Sequence, residues 1–200
     1  TNVNGTFYGD EISFSTLSGN SSVTTDAISN ITVNAAEGGG NVTDDGGSAI
    51  TQRGLVWGLS SGPSLSNYSG IAYSGSGLGS FAASLTGLQN NTTYYVRAFA
   101  TNALGTNYGN EVTFTTLSGQ PTLSTASVSN IGSTSATTGG TISNDGGLSV
   151  TARGVVWGNA ANPTLGSNLG FTNQGSGAGS FVSQVSGLAV NSTYYVRALS

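Results

Sequence analysis

The sequence is written twice. Residues 1–20, TNVNGTFYGDEISFSTLSGN, lie over residues 101–120, TNALGTNYGNEVTFTTLSGQ, and the overlay runs without a gap to YYVRAFA at 94–100 and YYVRALS at 194–200. Close to half of the paired positions are identical, and the identities gather at glycine, aromatic and turn residues. A period of 100 residues therefore organises the 200-residue chain, and what one copy folds into the other must fold into as well. A unit of that length holds one small domain.

Leu117, Ser118, Gly119, Gln120 and Pro121 set turn and breaker residues between two apolar runs, as a short interdomain linker does, and Leu17 to Ser21 are its counterpart. Residues 20–119 then form a complete module. Residues 1–19 carry the last strand of a preceding module, or a strand to be donated, and residues 120–200 form a module lacking its last strand. The expectation is a window on a longer array, reached in one of two ways. Either many repeats follow one another in a single chain, the favoured arrangement because the break falls inside a hairpin, or subunits join when Tyr8, Glu11, Ile12 and Phe14 of one copy complete the open edge of the next.

Short runs rich in β-branched and aromatic residues, separated by Gly, Asn and Ser clusters, predict strands near 22–31, 35–43, 50–58, 69–74, 79–86, 93–102 and 109–117, and no helical period appears. Seven short strands in such a length make a sandwich, so the fold class is all-β. Tyr94, Val96 and Ala98 alternate with Tyr95, Arg97 and Phe99, which sends one set to a core and the other outward.

Composition closes most chemistry. Only 6% of residues are charged, the formal net charge is −4, and His and Cys are absent. All four basic residues are Arg, so no basic patch exists to neutralise phosphates and neither nucleic acid nor an anionic membrane surface is an expected partner. No apolar run is long enough for membrane insertion. Zinc, a His-assisted nucleophile and Schiff-base lysine chemistry all lack their residues. Two-carboxylate hydrolysis would have to be assembled from scattered acids without an evident cleft, and the expectation is no enzyme, with no catalytic residue and no cofactor.

Leu88, Thr92, Tyr94, Val96, Asn102, Gly105 and Phe114, with Leu188, Tyr194 and Val196 at the same spacing, resemble the end of a fibronectin type III domain. The run TYYVRAFATNALGTNYGNEVTFTT, and RGLVWG, resemble tandem repeats of large secreted or cell-surface, adhesin-type proteins of Bacteroidota. The resemblance implies tandem fibronectin type III or immunoglobulin-like β-sandwiches and gives Tyr94 and Tyr194 the tyrosine-corner role, a hydroxyl bonded to backbone a few residues upstream. The family's tryptophan on the second strand is missing; Trp57 and Trp157 stand at the end of the third.

Charged positions shared by both copies are Glu11 with Glu111, Asp45 with Asp145, Arg53 with Arg153 and Arg97 with Arg197. On neighbouring strands Arg53, Arg97 and Glu111, with Arg153 and Arg197 in the other copy, form either a cross-strand charge ladder on a solvent face or, beside Trp57, Trp157, Tyr95 and Tyr195, a contact surface for glycan or for another subunit. Asp44-Asp45-Gly46-Gly47 and Asn144-Asp145-Gly146-Gly147 read as hairpin turns, with calcium weakly supported. GSGLGS at 75–80 and GSGAGS at 175–180 read as flexible hairpin tips. The function expected is a structural repeat of an extracellular fibre, stalk or adhesin assembling head to tail with copies of itself; the alternative is a carbohydrate-binding or accessory module of a secreted multidomain protein, with surface glycans as partners.

Overall fold

The β-rich runs of the sequence become strands joined by Gly- and Asn-rich turns, and no helix forms among the described residues. The structure is a computed structural model that describes residues 2–16 and 19–200. Thr1, Leu17 and Ser18, which belong to the expected first strand and first linker, lie outside the described residues. The first module holds β1 (Ser22–Thr25), β2 (Ala35–Asp44), β3 (Gln52–Gly58), β4 (Gly70–Tyr73), β5 (Gly79–Thr86), β6 (Thr93–Asn102), β7 (Gly105–Tyr108) and β8 (Val112–Thr115). The second holds β9 (Thr122–Thr125), β10 (Ser135–Asn144), β11 (Gly154–Gly158), β12 (Gly170–Phe171), β13 (Gly179–Ser186) and β14 (Tyr195–Leu199). By its contacts the chain falls into two units, one of Thr1–Ile28, Gly38–Ala83 and Tyr95–Thr113, the other of Ser29–Glu37, Ser84–Tyr94 and Phe114–Ser200.

Each module is a sandwich of two sheets built from antiparallel pairs. In the first, β1-β2-β5 faces β4-β3-β6-β7, with β8 also paired to β6. In the second, β9-β10-β13 faces β12-β11-β14. Both sheets of the second module feed one core: Ile142 of β10 and Phe181 and Val185 of β13 meet Val155 and Trp157 of β11, with Tyr194, Val196 and Ala198 packed against them.

Close approach of the sheets depends on glycine at one position per module. A methyl group on Gly40 would lie 2.8 Å from the Ala98 Cβ and 2.9 Å from the Phe81 ring, and one on Gly140 would lie 2.7 Å from the Ala198 Cβ. All three distances are well inside van der Waals contact, so a larger residue forces the sheets apart.

Two expectations are corrected here. The strand expected over 109–117 is shorter, β8 at Val112–Thr115, and an unexpected strand, β7 at Gly105–Tyr108, precedes it, with Gly109, Asn110 and Glu111 between the two. Thr25 occupies that break: its hydroxyl accepts from Ala98 N–H at 2.9 Å, and a side chain on Gly109 would collide with it. Phe99, placed outward by simple alternation, is fully buried, with the Tyr73 ring edge-on against it at 6.0 Å. A sheet flanked on both faces buries both sets of side chains, which alternation alone does not reveal.

Candidate functional site

Arg53 on β3 is half-buried and donates to backbone through Nη1 and Nε. Nη1 donates to the carbonyls of Gly77, Leu78 and Gly79 at 3.1, 2.8 and 2.9 Å, Nε donates to the Ser74 carbonyl at 3.3 Å, and the group lies 5.3 Å from the Phe81 ring centroid. Arg153 repeats the arrangement with the carbonyls of Gly177 and Ala178, at 3.2 and 2.8 Å, and lies 5.5 Å from Phe181. The Gly-rich runs at 75–80 and 175–180 are therefore wrapped around an arginine. Gly75 and Gly77 adopt φ of 82° and 81°, left-handed conformations that turn successive carbonyls toward one point.

Arg97 and Glu111 do not form the expected ladder. The Arg97 Nε donates to the Gly109 carbonyl at 3.1 Å, and its guanidinium lies 4.7 Å from the Tyr108 centroid. The Glu111 carboxylate instead accepts from the Ser61 hydroxyl at 2.9 Å and from Gly62 N–H at 2.6 Å. The break before β8 carries Glu111 to the 61–62 loop, where these donors satisfy it. Arg197 is exposed.

Trp57 and Trp157, read as contact-surface residues, are 5% and 9% exposed. A side chain at Gly70 or Gly170 would overlap the indole ring, so each tryptophan packs flat on glycine backbone inside its module. Of the expected aromatic face only Tyr95, half-buried, and Tyr195, exposed, reach solvent. The Tyr94 hydroxyl accepts from Gln89 N–H at 2.9 Å and the Tyr194 hydroxyl from Ala189 N–H at 2.9 Å, each five residues upstream. Tyr94 also stacks on Phe114, centroids 5.8 Å apart.

The Asp-Gly turns are occupied too. Asp44 and Asp45 accept from Gly46 and Gly47 N–H at 2.8 Å each, and Asn144 and Asp145 make the same bonds at 2.7 and 2.9 Å. The Gly46 and Gly146 carbonyls accept from Gly19 and Gly119 N–H at 3.1 and 2.8 Å, which fixes the incoming linker residue on each turn. Among the described residues no three of His, Cys, Asp and Glu converge to hold a metal ion, and no helix is long and apolar enough to cross a membrane.

Tyr8, Glu11, Ile12 and Phe14 lie in a segment with no strand, all exposed, Tyr8 at 91% and Phe14 at 85%. Sequence reasoning missed Phe81, Tyr108 and Ser61 as partners of the shared charges. Phe81 with Phe181 and Tyr8 with Tyr108 are identical between copies, which was the available signal.

No family model matches the chain, and no curated protein matches it. Among solved structures, the sensor domain of an anti-sigma factor from Pseudobacteroides cellulosolvens is similar at 21% identity over 49% of this chain and 95% of that one, with a TM-score of 0.36. A solution structure of the same sensor domain is similar at 19% identity over 50% of this chain and 77% of that one, TM-score 0.35. A two-domain fibronectin type III segment of chicken tenascin is similar at 16% identity over 88% of this chain and 89% of that one, TM-score 0.34. These are distant likenesses of fold, and no residue role is transferred through them.

Proposed function

We propose that the chain is a structural segment of an extracellular fibre, stalk or adhesin, in which sandwich modules follow one another head to tail and provide length rather than chemistry. One observation carries this reading: many of the distinctive residues common to both copies serve the build of a module. Arg53 and Arg153 hold the Gly-rich loops, Gly40 and Gly140 let the sheets approach, Trp57 and Trp157 lie on glycine backbone, and the Asp-Gly turns grip the linker. What is repeated is a spacer. A module with strands of about 8–10 residues at ~3.3 Å rise adds roughly 30–40 Å to such an array.

Low charge and the absence of Cys and Met suit a long-lived surface exposed to oxidants. On this reading the chain is not an enzyme. Immunogold electron microscopy of intact producing cells tests it: gold along extended surface structures is expected, and label confined to the cell interior overturns it. A carbohydrate-binding or accessory role is the second reading, favoured by the exposed ring of Tyr195.

A further inference from the structure

The charged residues of the first module leave a long stretch of it bare. Residues 54–96, which run from β3 into β6, contain no Asp, Glu, Lys or Arg, and residues 154–196 repeat the gap. Strand β4, Gly70–Tyr73, lies in this stretch at the end of its sheet, and among the described residues its one partner strand is β3. An open row of N–H and C=O groups is a template for another strand, and sheet edges are commonly guarded by charge or proline. β4, with the sequence Gly-Ile-Ala-Tyr, carries neither guard.

The register says which groups are open. Ser74 N–H donates to the Arg53 carbonyl at 2.8 Å, and antiparallel strands bond at alternate residues. Ala72 and Gly70 therefore turn toward β3, while Ile71 and Tyr73 present their N–H and C=O groups along the free edge. Tyr73 is 58% exposed, yet its ring is already held edge-on against Phe99 at 6.0 Å, which lowers the ordering cost of a contact. The apolar side chains around this edge belong to the first module alone. Exposed Leu59, Tyr68 and Tyr73 correspond to Asn159, Asn168 and Asn173, and the Asn173 Oδ1 is turned onto its own loop, where it accepts from Gly175 N–H at 2.9 Å.

The edge is complementary to itself. A two-fold axis through Ala72 sets Ile71 of each copy opposite Tyr73 of the other, so the open N–H and C=O groups of both residues are bonded and each ring lies beside a β-branched side chain, a favourable cross-strand pair. Neither copy brings a charge to oppose it. We propose that β4 of the first module pairs antiparallel with β4 of a second copy of this chain, Ile71 opposite Tyr73, so that two sheets join edge to edge in a lateral contact. This contact stands whether or not modules follow one another head to tail. A pairing this short is weak singly and strengthens where modules are multiplied.

The test uses the absence of native cysteine. In this register residue 72 of one copy faces residue 72 of the other at a non-hydrogen-bonded position, where Cα atoms are about 4.5 Å apart and within reach of a disulfide. Ala72→Cys is a small change at a position where the second module carries the larger Thr172. On mild oxidation of the whole chain, Ala72→Cys is expected to give a dimer band on a non-reducing denaturing gel at least tenfold faster than Ser76→Cys, whose exposed thiol the same register carries to opposite ends of the contact. Adding Tyr73→Asn, the residue of the second module, is expected to slow the Ala72→Cys dimer at least tenfold with the circular dichroism of the fold unchanged, and adding Tyr73→Asp to abolish it. A chain that stays monomeric overturns the proposal. So does a dimer that forms as fast from Ser76→Cys, or one indifferent to both changes at Tyr73.

Discussion

Thr25 and Asn110 bond each other in both directions, Thr25 N–H donating to the Asn110 Oδ1 at 3.0 Å and the Asn110 amide donating to the Thr25 carbonyl at 3.3 Å. A side-chain amide thus stands in for backbone pairing where the last strand breaks. Asn110→Ala leaves a partly buried N–H and C=O without partners and is expected to destabilise the first module by about 2 kcal/mol. Urea unfolding followed by Trp57 fluorescence in a Trp157→Phe background isolates that module.

The stack of Phe114 on Tyr94 closes one end of the core. Phe114→Ala is expected to cost about 3–5 kcal/mol through transfer and cavity effects, while Tyr94→Phe, which removes only the hydroxyl bonded to Gln89 N–H, costs about 1 kcal/mol. The same urea titration separates the two. Equal losses would show that the ring stack contributes little.

Legibility differed by element. The long strands β2, β5 and β6 were readable because alternation and flanking turn residues agree over eight to ten positions. The break between β7 and β8 was not, since it is imposed by Thr25, a residue 85 positions before Asn110. Phe99 and Trp57 misled for a related reason: an aromatic side chain on a two-sided sheet is buried or exposed according to what lies over it, and Gly70 and Tyr73 are remote in sequence. Arg53, Arg97 and Arg197 lie on the strands expected for them, whereas Glu111 lies in the break before β8, and many of the partners are loop carbonyls and N–H groups, which carry no side-chain signal.

Arg53 Nη1 converges on three carbonyls, Nε reaches that of Ser74 and the flat guanidinium lies over Phe81. A lysine ammonium lacks both the Nε donor and the flat face, so Arg53→Lys is expected to destabilise the first module by about 1 kcal/mol and to raise amide exchange in residues 75–80. Unchanged exchange there would show that the glycine-rich loop holds its shape without the arginine.

The carbohydrate reading makes the opposite demand on Arg97 and Tyr95. Because Arg97 is already stacked on Tyr108 and Trp57 is buried, a glycan screen at millimolar ligand is expected to be blank. Binding that disappears in Arg97→Ala or Tyr95→Ala with the fold retained would replace the structural reading.

The most direct measurement is negative-stain imaging of native material, with the mass of the same sample determined after full denaturation. The account predicts extended filaments, arising either from a polypeptide of many repeats or from subunits of one chain length. Discrete compact particles of one or two modules would contradict it.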